Sequence, residues 1–376
     1  MSKYIIMGAG NIGKACIELL QKFNMGQSID GFADDDFYKI GEELCNIKIY
    51  SIYQAEQLLK KKEIRGIIFP FSLPMYAQHD YFNQLSADNT NCFYLPPLKY
   101  MEKEILNAKD IDDLLFAFKD SEYIHTLQIM TVDQCNLNCG GCSHFSSLVK
   151  NEKCYSAESF TNDLHRVHTL VKGVGKFIFV GGEPLLHKDL PNMISEVHEV
   201  FPESNITIIT NALLLLNMCD LFWETVIKHD VFIDVTYYLP VSEKIDKIHD
   251  TLKEHGVRYK IWPARIEFKK RVNPSGNSDP QKTWDYCRER SCITMSNGEI
   301  ATCYMPLVID YFNGQFGTKI DMSSSVIDLY DPKLTGVDLV NKLTHYQDAC
   351  RYCHDDVSVP WTRYASPAEA KIENWV

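Results

Sequence analysis

The chain has 376 residues, of which 45% are hydrophobic and 23% are charged, and its formal net charge is −12. This composition is typical of a globular protein with several domains. The acidic balance argues against a dedicated nucleic-acid-binding protein, which needs a basic face. The sequence shows neither the apolar core of a signal peptide nor the roughly 20 apolar residues of a membrane helix. We therefore expect a cytoplasmic protein whose 13 cysteines stay reduced.

The first segment begins with a short apolar strand, Tyr4 to Met7, followed by a glycine turn and a helical pattern. In this order, a G-x-G-x-x-G turn can hold the diphosphate of a dinucleotide. A second predicted strand ends near Asp34, where a carboxylate could meet a ribose hydroxyl. The nucleotide-binding candidates are Gly8, Gly10, Gly13 and Asp34. The alternative is an α/β module with a glycine turn and no ligand.

The stretch "GFADDD" (31–36), together with the glycine turn, resembles the N-terminal Rossmann-like domains of enzymes that act on sugar nucleotides in surface-polysaccharide pathways. The resemblance covers about the first 70 residues. It implies that the ligand is NAD or a nucleotide-sugar, and it leaves the choice between them open. We place this Rossmann-like domain at residues 1–118.

From about residue 120, strand-like and helical patterns alternate. The strand-like runs are "HTLQIMTV", "KFIFV", "NITIIT", "VFIDVTYY" and "VRYKIW". Alternation of this kind predicts parallel strands with right-handed crossovers. Five or six such units predict a partial (β/α)6 barrel of the TIM type over residues 119–275, with its chemistry at the carboxyl ends of the strands. The loop-forming stretch "NPSGNSDP" (273–280) then leads into a third domain, 276–376.

The stretch "QCNLNCGGCSH" (134–144) follows the first barrel strand and contains Cys135, Cys139 and Cys142. A [4Fe–4S] cluster normally takes four cysteines, so three thiolates leave one iron open to a small molecule. The alternative is zinc bound by the three cysteines and His144. Zinc sites usually combine two Cys-x-x-Cys pairs, however, and this stretch has one, so the spacing favours iron.

This spacing after a barrel strand resembles the signature of the radical S-adenosylmethionine (SAM) superfamily. Two further matches follow the next two strands: "GGEP" (181–184) and "TIITNALLL", in which Ala212 stands where the family usually has glycine. The resemblance covers residues 120–353. The SAM-binding residues that it implies are Gly181, Gly182, Glu183, Pro184, Thr210 and Asn211, and Thr236 is a further candidate.

The same resemblance implies the type of reaction. One electron from the reduced cluster cleaves SAM to methionine and a 5′-deoxyadenosyl radical, which removes hydrogen from an unactivated C–H bond. The expected electron donor is a reductase, a flavodoxin or a ferredoxin. The protein's own tasks are to position the substrate and to exclude competing quenchers.

A second set of cysteines follows the barrel. Its layout resembles the "twitch" form of the SPASM-type extension, which binds one auxiliary [4Fe–4S] cluster through four cysteines. The resemblance implies Cys303, Cys350 and Cys353 as ligands, with Cys287 preferred to Cys292 as the fourth. Such a closed cluster would pass electrons. The alternative is a zinc ribbon built from the same residues.

Three residues are weaker candidates for catalysis, and each has a structural alternative. Cys154 is a candidate hydrogen-atom donor or a small buried hydrophobe. Tyr237 faces the substrate or packs in the barrel, and Arg265 binds a phosphate or carboxylate or forms a surface ion pair. The remaining lone cysteines, expected in the core, are Cys16, Cys45, Cys92 and Cys219.

These features predict a two-cluster radical SAM oxidoreductase or epimerase that acts on a small sugar-linked molecule, with no nucleic-acid or membrane partner. One alternative is modification of a ribosomally made peptide. Enzymes of that kind commonly carry a winged-helix leader-binding domain, which the glycine-turn pattern does not resemble. A second alternative is a non-enzymatic iron–sulfur or NAD-responsive regulator, in which "GGEP" would have no role.

Overall fold

The computed structural model describes residues 3–70, 91–116, 121–290, 292–354 and 357–376. The chain divides into two compact units. The first comprises Met1–His125 with Gly173–Gly175, and the second comprises Thr126–Lys172 with Lys176–Val376. In the described ranges, none of the helices has the length and apolar character needed to cross a membrane.

The first unit is built on a six-stranded sheet with the order β3-β4-β2-β1-β5-β6. The strands are β1 (Tyr4–Met7), β2 (Ile29–Asp34), β3 (Glu43–Leu44), β4 (Ile47–Ser51), β5 (Gly66–Pro70) and β6 (Cys92–Leu95). The helices are α1 (Asn11–Lys22), α2 (Ile52–Lys60) and α3 (Leu98–Ile105). All pairs are parallel except β3 with β4. The strand predicted from "RGIIFPF" is β5, and residue 71 of that run lies outside the described residues.

Local sequence explains these elements. All four residues of β1 are apolar and buried, as expected for a parallel strand covered on both faces. Helix α2 begins at a capping box. The Ser51 hydroxyl accepts a hydrogen bond from the Gln54 amide at 3.1 Å, and the Gln54 side chain accepts one from the Ser51 amide at 2.9 Å. The glycine turn separates β1 from α1 and places the N-terminus of α1 at the carboxyl end of that strand.

The second unit is built on an eight-stranded sheet with the order β12-β11-β10-β9-β7-β14-β15-β16. Two smaller sheets of two strands each pair β13 with β17 and β18 with β8. The strands of the whole unit are β7 (Tyr123–Val132), β8 (Cys139–Gly140), β9 (Gly173–Gly181), β10 (Asn205–Thr210), β11 (Phe232–Val235), β12 (Tyr259–Ile261), β13 (Glu267–Lys269), β14 (Thr294–Ser296), β15 (Glu299–Ala301), β16 (Val326–Asp328), β17 (Ser358–Pro360) and β18 (Thr362–Arg363). The helices are α4 (Ala157–Leu170), α5 (Leu190–Val200), α6 (Asp220–Lys228), α7 (Ile245–Glu254), α8 (Pro280–Tyr286), α9 (Met305–Phe316) and α10 (Gly336–Leu343).

The five strand-like runs form β7, β9, β10, β11 and β12, and the strands from β9 to β12 are parallel. Strand β12 ends at Ile261, and in the described part of the chain no further strand pairs with it at that edge of the sheet. Strand β13 pairs with β17, and the other neighbour of β7 is β14, which runs parallel to it.

Candidate functional site

The segment after β7 carries the three cysteines of the first motif, whose thiols are free: Cys135, Cys139 and Cys142. N–H groups point at two of the sulfurs. The amide of Leu137 and the side chain of Asn211 donate to Cys135 Sγ at 3.5 and 3.6 Å. The indole N–H of Trp361 donates to Cys139 Sγ at 3.1 Å. Donors in these positions stabilise negative charge on sulfur, as cluster ligands require.

Burial raises the pKa of each of these thiols, that of Cys139 to about 12. The charges of Cys139 and Cys142 contribute to the raised pKa of Cys135, and the charge of Cys142 contributes to that of Cys139. The Cys142 amide also donates to Cys139 O at 3.4 Å, so these two cysteines share one turn. A bound cation offsets the cost of burying their negative charge.

Within the described ranges, no group of three or more His, Cys, Asp and Glu side chains is arranged to hold a single metal ion. A four-iron cube takes one thiolate at each iron, so its ligands need not converge on one point as zinc ligands do. His144, the fourth ligand in the zinc alternative, stacks on Tyr304 with ring centroids 4.1 Å apart. The donor set and the N–H groups around it fit a [4Fe–4S] cluster.

The "GGEP" turn after β9 lies against the residues that precede Cys135. The amide of Gly182 donates to Val132 O at 2.7 Å, and the amide of Glu183 donates to Gln134 O at 3.1 Å. A Cβ atom on Gly182 would lie 1.8 Å from Gln134 O, so the approach requires glycine. Pro184 then begins a short 3₁₀ helix, Pro184–Leu186.

Glu183 is buried and accepts three hydrogen bonds. The Thr210 hydroxyl donates at 2.6 Å, the Asn211 amide at 2.9 Å and the Leu185 amide at 3.1 Å. Burial raises the pKa of Glu183 to about 7, although these donors act in the opposite direction. Near neutral pH, the carboxyl group can therefore lose its proton when a positively charged amino group binds beside it.

Asn211 joins the third motif to the first. Its side chain donates to Asn136 Oδ1 at 2.8 Å as well as to Cys135 Sγ. The next residue, Ala212, has a φ of 61°, the left-handed conformation that glycine adopts most readily. Alanine at this position therefore preserves the turn at some cost in backbone strain.

The end of β11 supplies a residue that the sequence reasoning missed. Tyr238 is half-buried, and its pKa is raised by burial and then by the charges of Cys139 and Cys142. Arg265 lies near the same thiols, since its charge lowers the pKa of Cys139. The backbone carbonyl of Tyr237, the residue named in the sequence analysis, accepts a hydrogen bond from the Arg265 amide at 2.8 Å. The run "VFIDVTYY" contains both tyrosines, and β11 ends at Val235 before either of them.

Two further sequence candidates lie beside these motifs. The Thr236 amide donates to Thr210 O at 2.9 Å, next to the Glu183 partner. Cys154 is exposed, forms an antiparallel bridge with Val132 and accepts a hydrogen bond from Gln134 Nε2 at 3.6 Å. It is thus no buried hydrophobe.

The lone cysteines divide between core and surface. Cys16 and Cys92 are buried, as expected. Cys45 is half-buried and Cys219 is exposed, so the expectation that they lie in the core was wrong. Cys219 directly precedes α6 and occupies its N-cap position, which leaves its side chain at the surface.

The second set of cysteines also comes together. Burial raises the pKa of Cys303, and the charges of Cys353, Cys287 and Cys350 raise it further, which makes these four thiols neighbours. The sulfur of Cys292 instead donates to Glu289 Oε2 at 3.2 Å. Helix α8, which ends beside Cys287, contacts the short helical turn Asp348–Tyr352. Burial, the charge of Glu289 and the charges of Cys303 and Cys287 raise the pKa of Cys292, so Cys292 lies beside the same group and the choice of the fourth ligand stays a prediction.

In the first unit, the glycine turn and Asp34 are in contact. The Ala9 amide donates to Asp34 Oδ2 at 2.7 Å, and Lys39 Nζ lies 3.4 Å from the same atom. A Cβ atom on Gly13 would lie 2.0 Å from Gly8 O, whereas one on Gly10 would meet nothing within 4 Å. The close approach of helix and turn depends on Gly13.

Part of the chain is similar to known proteins. Residues 129–260 match the family model described as the Radical SAM superfamily. Molybdenum cofactor biosynthesis protein 1 of Dictyostelium discoideum is 26% identical over 209 residues, which are 49% of this chain and 32% of that protein. A GTP 3',8-cyclase of Clostridium botulinum is 30% identical over 110 residues, 27% of this chain and 32% of the relative. The chain therefore spans about a third of the length of these relatives.

Among solved structures, BtrN in complex with AdoMet and 2-DOIA is similar with a TM-score of 0.43 and 16% identity, covering 62% of this chain and 93% of that one. The matched family segment contains all three motifs described above. The chain therefore contains a segment that matches the radical SAM superfamily, whose enzymes use SAM and a [4Fe–4S] cluster.

Proposed function

We propose that this enzyme cleaves SAM reductively and removes hydrogen from a sugar or a nucleotide-linked sugar, with oxidation or epimerisation as the outcome. The observation that carries the SAM part of the proposal is the hydrogen-bonded chain from Cys135 through Asn211 to Glu183. It joins the three motifs that follow β7, β9 and β10. In this proposal, a cluster held by Cys135, Cys139 and Cys142 supplies the electron and the open iron.

The protein's own residues have distinct tasks in this scheme. Glu183 would accept hydrogen bonds from the amino group of SAM, and the Thr210 hydroxyl fixes the orientation of that carboxylate. Asn211 orients the sulfur of Cys135. Tyr238 and Arg265 lie near the cysteines, where Arg265 can pair with an anionic group of the substrate.

The second set of cysteines supports an oxidation. Four neighbouring thiols, Cys287, Cys303, Cys350 and Cys353, suit an auxiliary [4Fe–4S] cluster with no open iron. We infer that its role is to accept the electron that a substrate radical must lose. Cys154, which is exposed at the start of the segment leading to α4, is the residue to test if the outcome is epimerisation.

The sugar-nucleotide part of the proposal rests on the first unit. The order β4-β2-β1-β5-β6 is that of a Rossmann-like sheet, in which ligands bind at the carboxyl end of the central strand. Gly8, Gly10 and Gly13 follow that end of β1, and Asp34 is the last residue of β2. NAD and a nucleotide-sugar both carry the diphosphate that such a turn holds.

A second candidate substrate is a purine nucleotide, because one relative that is 30% identical over 110 residues is a GTP 3',8-cyclase. One experiment separates the two. The anaerobically reconstituted enzyme, reduced by dithionite or by a flavodoxin system, is incubated with deuterated nucleotide-sugars and with GTP. Deuterium in 5′-deoxyadenosine from a sugar carbon supports the first candidate. Transfer from the ribose of GTP alone overturns it.

A further inference from the structure

The chain after Cys353 returns to the segment that carries the first three cysteines. Strand β18 pairs antiparallel with β8, which matches Thr362 with Gly140 and Arg363 with Cys139. The Arg363 side chain donates to Leu137 O at 3.1 Å. Residues 357–376, here called the tail, are therefore attached to the backbone of the segment that carries Cys135, Cys139 and Cys142, here called the cysteine segment.

The packing between tail and cysteine segment is close. A Cβ atom on Gly140 would lie 2.4 Å from the Thr362 hydroxyl and 2.6 Å from Asn374 Nδ2. Trp375, which is fully buried, donates its indole N–H to Cys142 O at 2.8 Å. These contacts leave the tail little freedom, so its side chains keep fixed positions relative to the sulfurs.

Trp361 is the tail residue that contacts a sulfur. Its indole N–H lies 3.1 Å from Cys139 Sγ, and its own backbone amide is anchored to Ile266 O at 2.8 Å. The indole ring lies 6.1 Å from that of Tyr238. Cys139 itself is buried, so the indole replaces a hydrogen bond that water cannot supply.

Reduction adds negative charge to an iron–sulfur cluster and to its sulfur ligands. A hydrogen bond to a ligand sulfur stabilises the reduced form more than the oxidised form and raises the reduction potential. We propose that Trp361 raises the reduction potential of the cluster that Cys139 binds and so makes it accessible to the cellular electron donor. This inference rests on the proposed function, since it requires Cys139 to be a cluster ligand.

The test compares the full-length wild type with Trp361→Phe, which keeps an aromatic ring and removes the N–H. Trp262→Phe is the matched control, because the indole N–H of Trp262 donates to the carboxylate of Asp234. The iron content per chain is measured for each protein. The reduced cluster is then titrated anaerobically by electron paramagnetic resonance, following the signal that changes when SAM is added.

We expect W361F to keep its iron and to show a several-fold lower ratio of reduced to oxidised cluster at a fixed solution potential, with W262F unchanged. An unchanged ratio in a fully loaded W361F overturns the inference and leaves the proposed function intact. A wild type that binds no cluster overturns both. If W361F loses iron, site-specific benzothienylalanine at position 361, which replaces the N–H by sulfur in a ring of the same shape, gives the same comparison.

Discussion

The rings of His144 and Tyr304 stack with centroids 4.1 Å apart, although one follows the first set of cysteines and the other follows Cys303 of the second. Tyr304 is buried, and Nε2 of His144 is buried with no hydrogen-bond partner among the described residues. The pair therefore serves as a rigid apolar contact that fixes one cysteine segment against the other.

Removing this contact should cost stability. We expect Tyr304→Ala to lower the free energy of unfolding by about 3 kcal/mol, the usual cost of deleting a buried aromatic side chain. Tyr304→Phe keeps the stack and should cost only about 1 kcal/mol for the lost hydrogen bond between the hydroxyl group and Ser143. Urea unfolding of both variants measures the difference. Equal losses in the two would mean that the stack contributes nothing.

Mutation can show whether Cys287 or Cys292 is the fourth ligand of the auxiliary cluster. We expect Cys287→Ser to lose about four irons per chain, because its thiol belongs with those of Cys303, Cys350 and Cys353. Cys292→Ser should retain them, because the Cys292 sulfur is directed to Glu289. Iron and sulfide analysis after anaerobic reconstitution reports the result. The reverse pattern would assign the ligand to Cys292.

SAM binding should depend on pH through Glu183, whose pKa is raised by burial to about 7. The SAM ammonium group favours the ionised carboxylate, so apparent affinity should fall as the pH drops below about 7, by at most tenfold per pH unit. Glu183→Gln should bind SAM weakly with little dependence on pH. Equilibrium dialysis between pH 6 and 8 measures both proteins.

The same group makes a prediction for the ligand-free fold. Between its ordinary value of 4.5 and about 7, the folded protein holds the Glu183 proton more tightly than the unfolded chain does. This contribution to stability is therefore lost as the pH rises through that window. The Glu183→Gln variant should not show this loss of stability as the pH rises. A wild type and E183Q with identical pH profiles would contradict the assignment.

The glycine turn of the first unit offers a matched pair of substitutions. Gly13→Ala places a methyl group against Gly8 O and should abolish nucleotide-sugar binding or unfold the turn. Gly10→Ala meets no atom within 4 Å and should leave the fold intact. Calorimetry with the full-length protein and UDP-sugars tests the pair. Undiminished binding by G13A would place the ligand elsewhere.

The sequence predicted the parts of the site that depend on local order. The motifs after β7, β9 and β10 could be placed together because the carboxyl ends of neighbouring parallel strands meet at one edge of a sheet. The partners of Glu183 follow from this rule, since Thr210 and Asn211 end the next strand.

The contacts that depend on distant segments could not be predicted in this way. Trp361 and Cys139 are separated by 222 positions, and the tail that carries Trp361 has short strands without a clear periodicity. The approach of Tyr238 to Trp361, with ring centroids 6.1 Å apart, also joins segments that are distant in the sequence. The pairing of β14 with β7 could not be predicted either, because β14 lies beyond the stretch in which strands and helices alternate.

The most direct test of the account is an assay for SAM cleavage by the anaerobically reconstituted, full-length enzyme under dithionite. We predict that 5′-deoxyadenosine and methionine form in equal amounts, and that the triple variant Cys135→Ala, Cys139→Ala, Cys142→Ala forms neither while keeping the iron of the second set. Wild-type protein that is loaded with iron yet forms no 5′-deoxyadenosine, or that binds zinc at these three cysteines, would contradict the account.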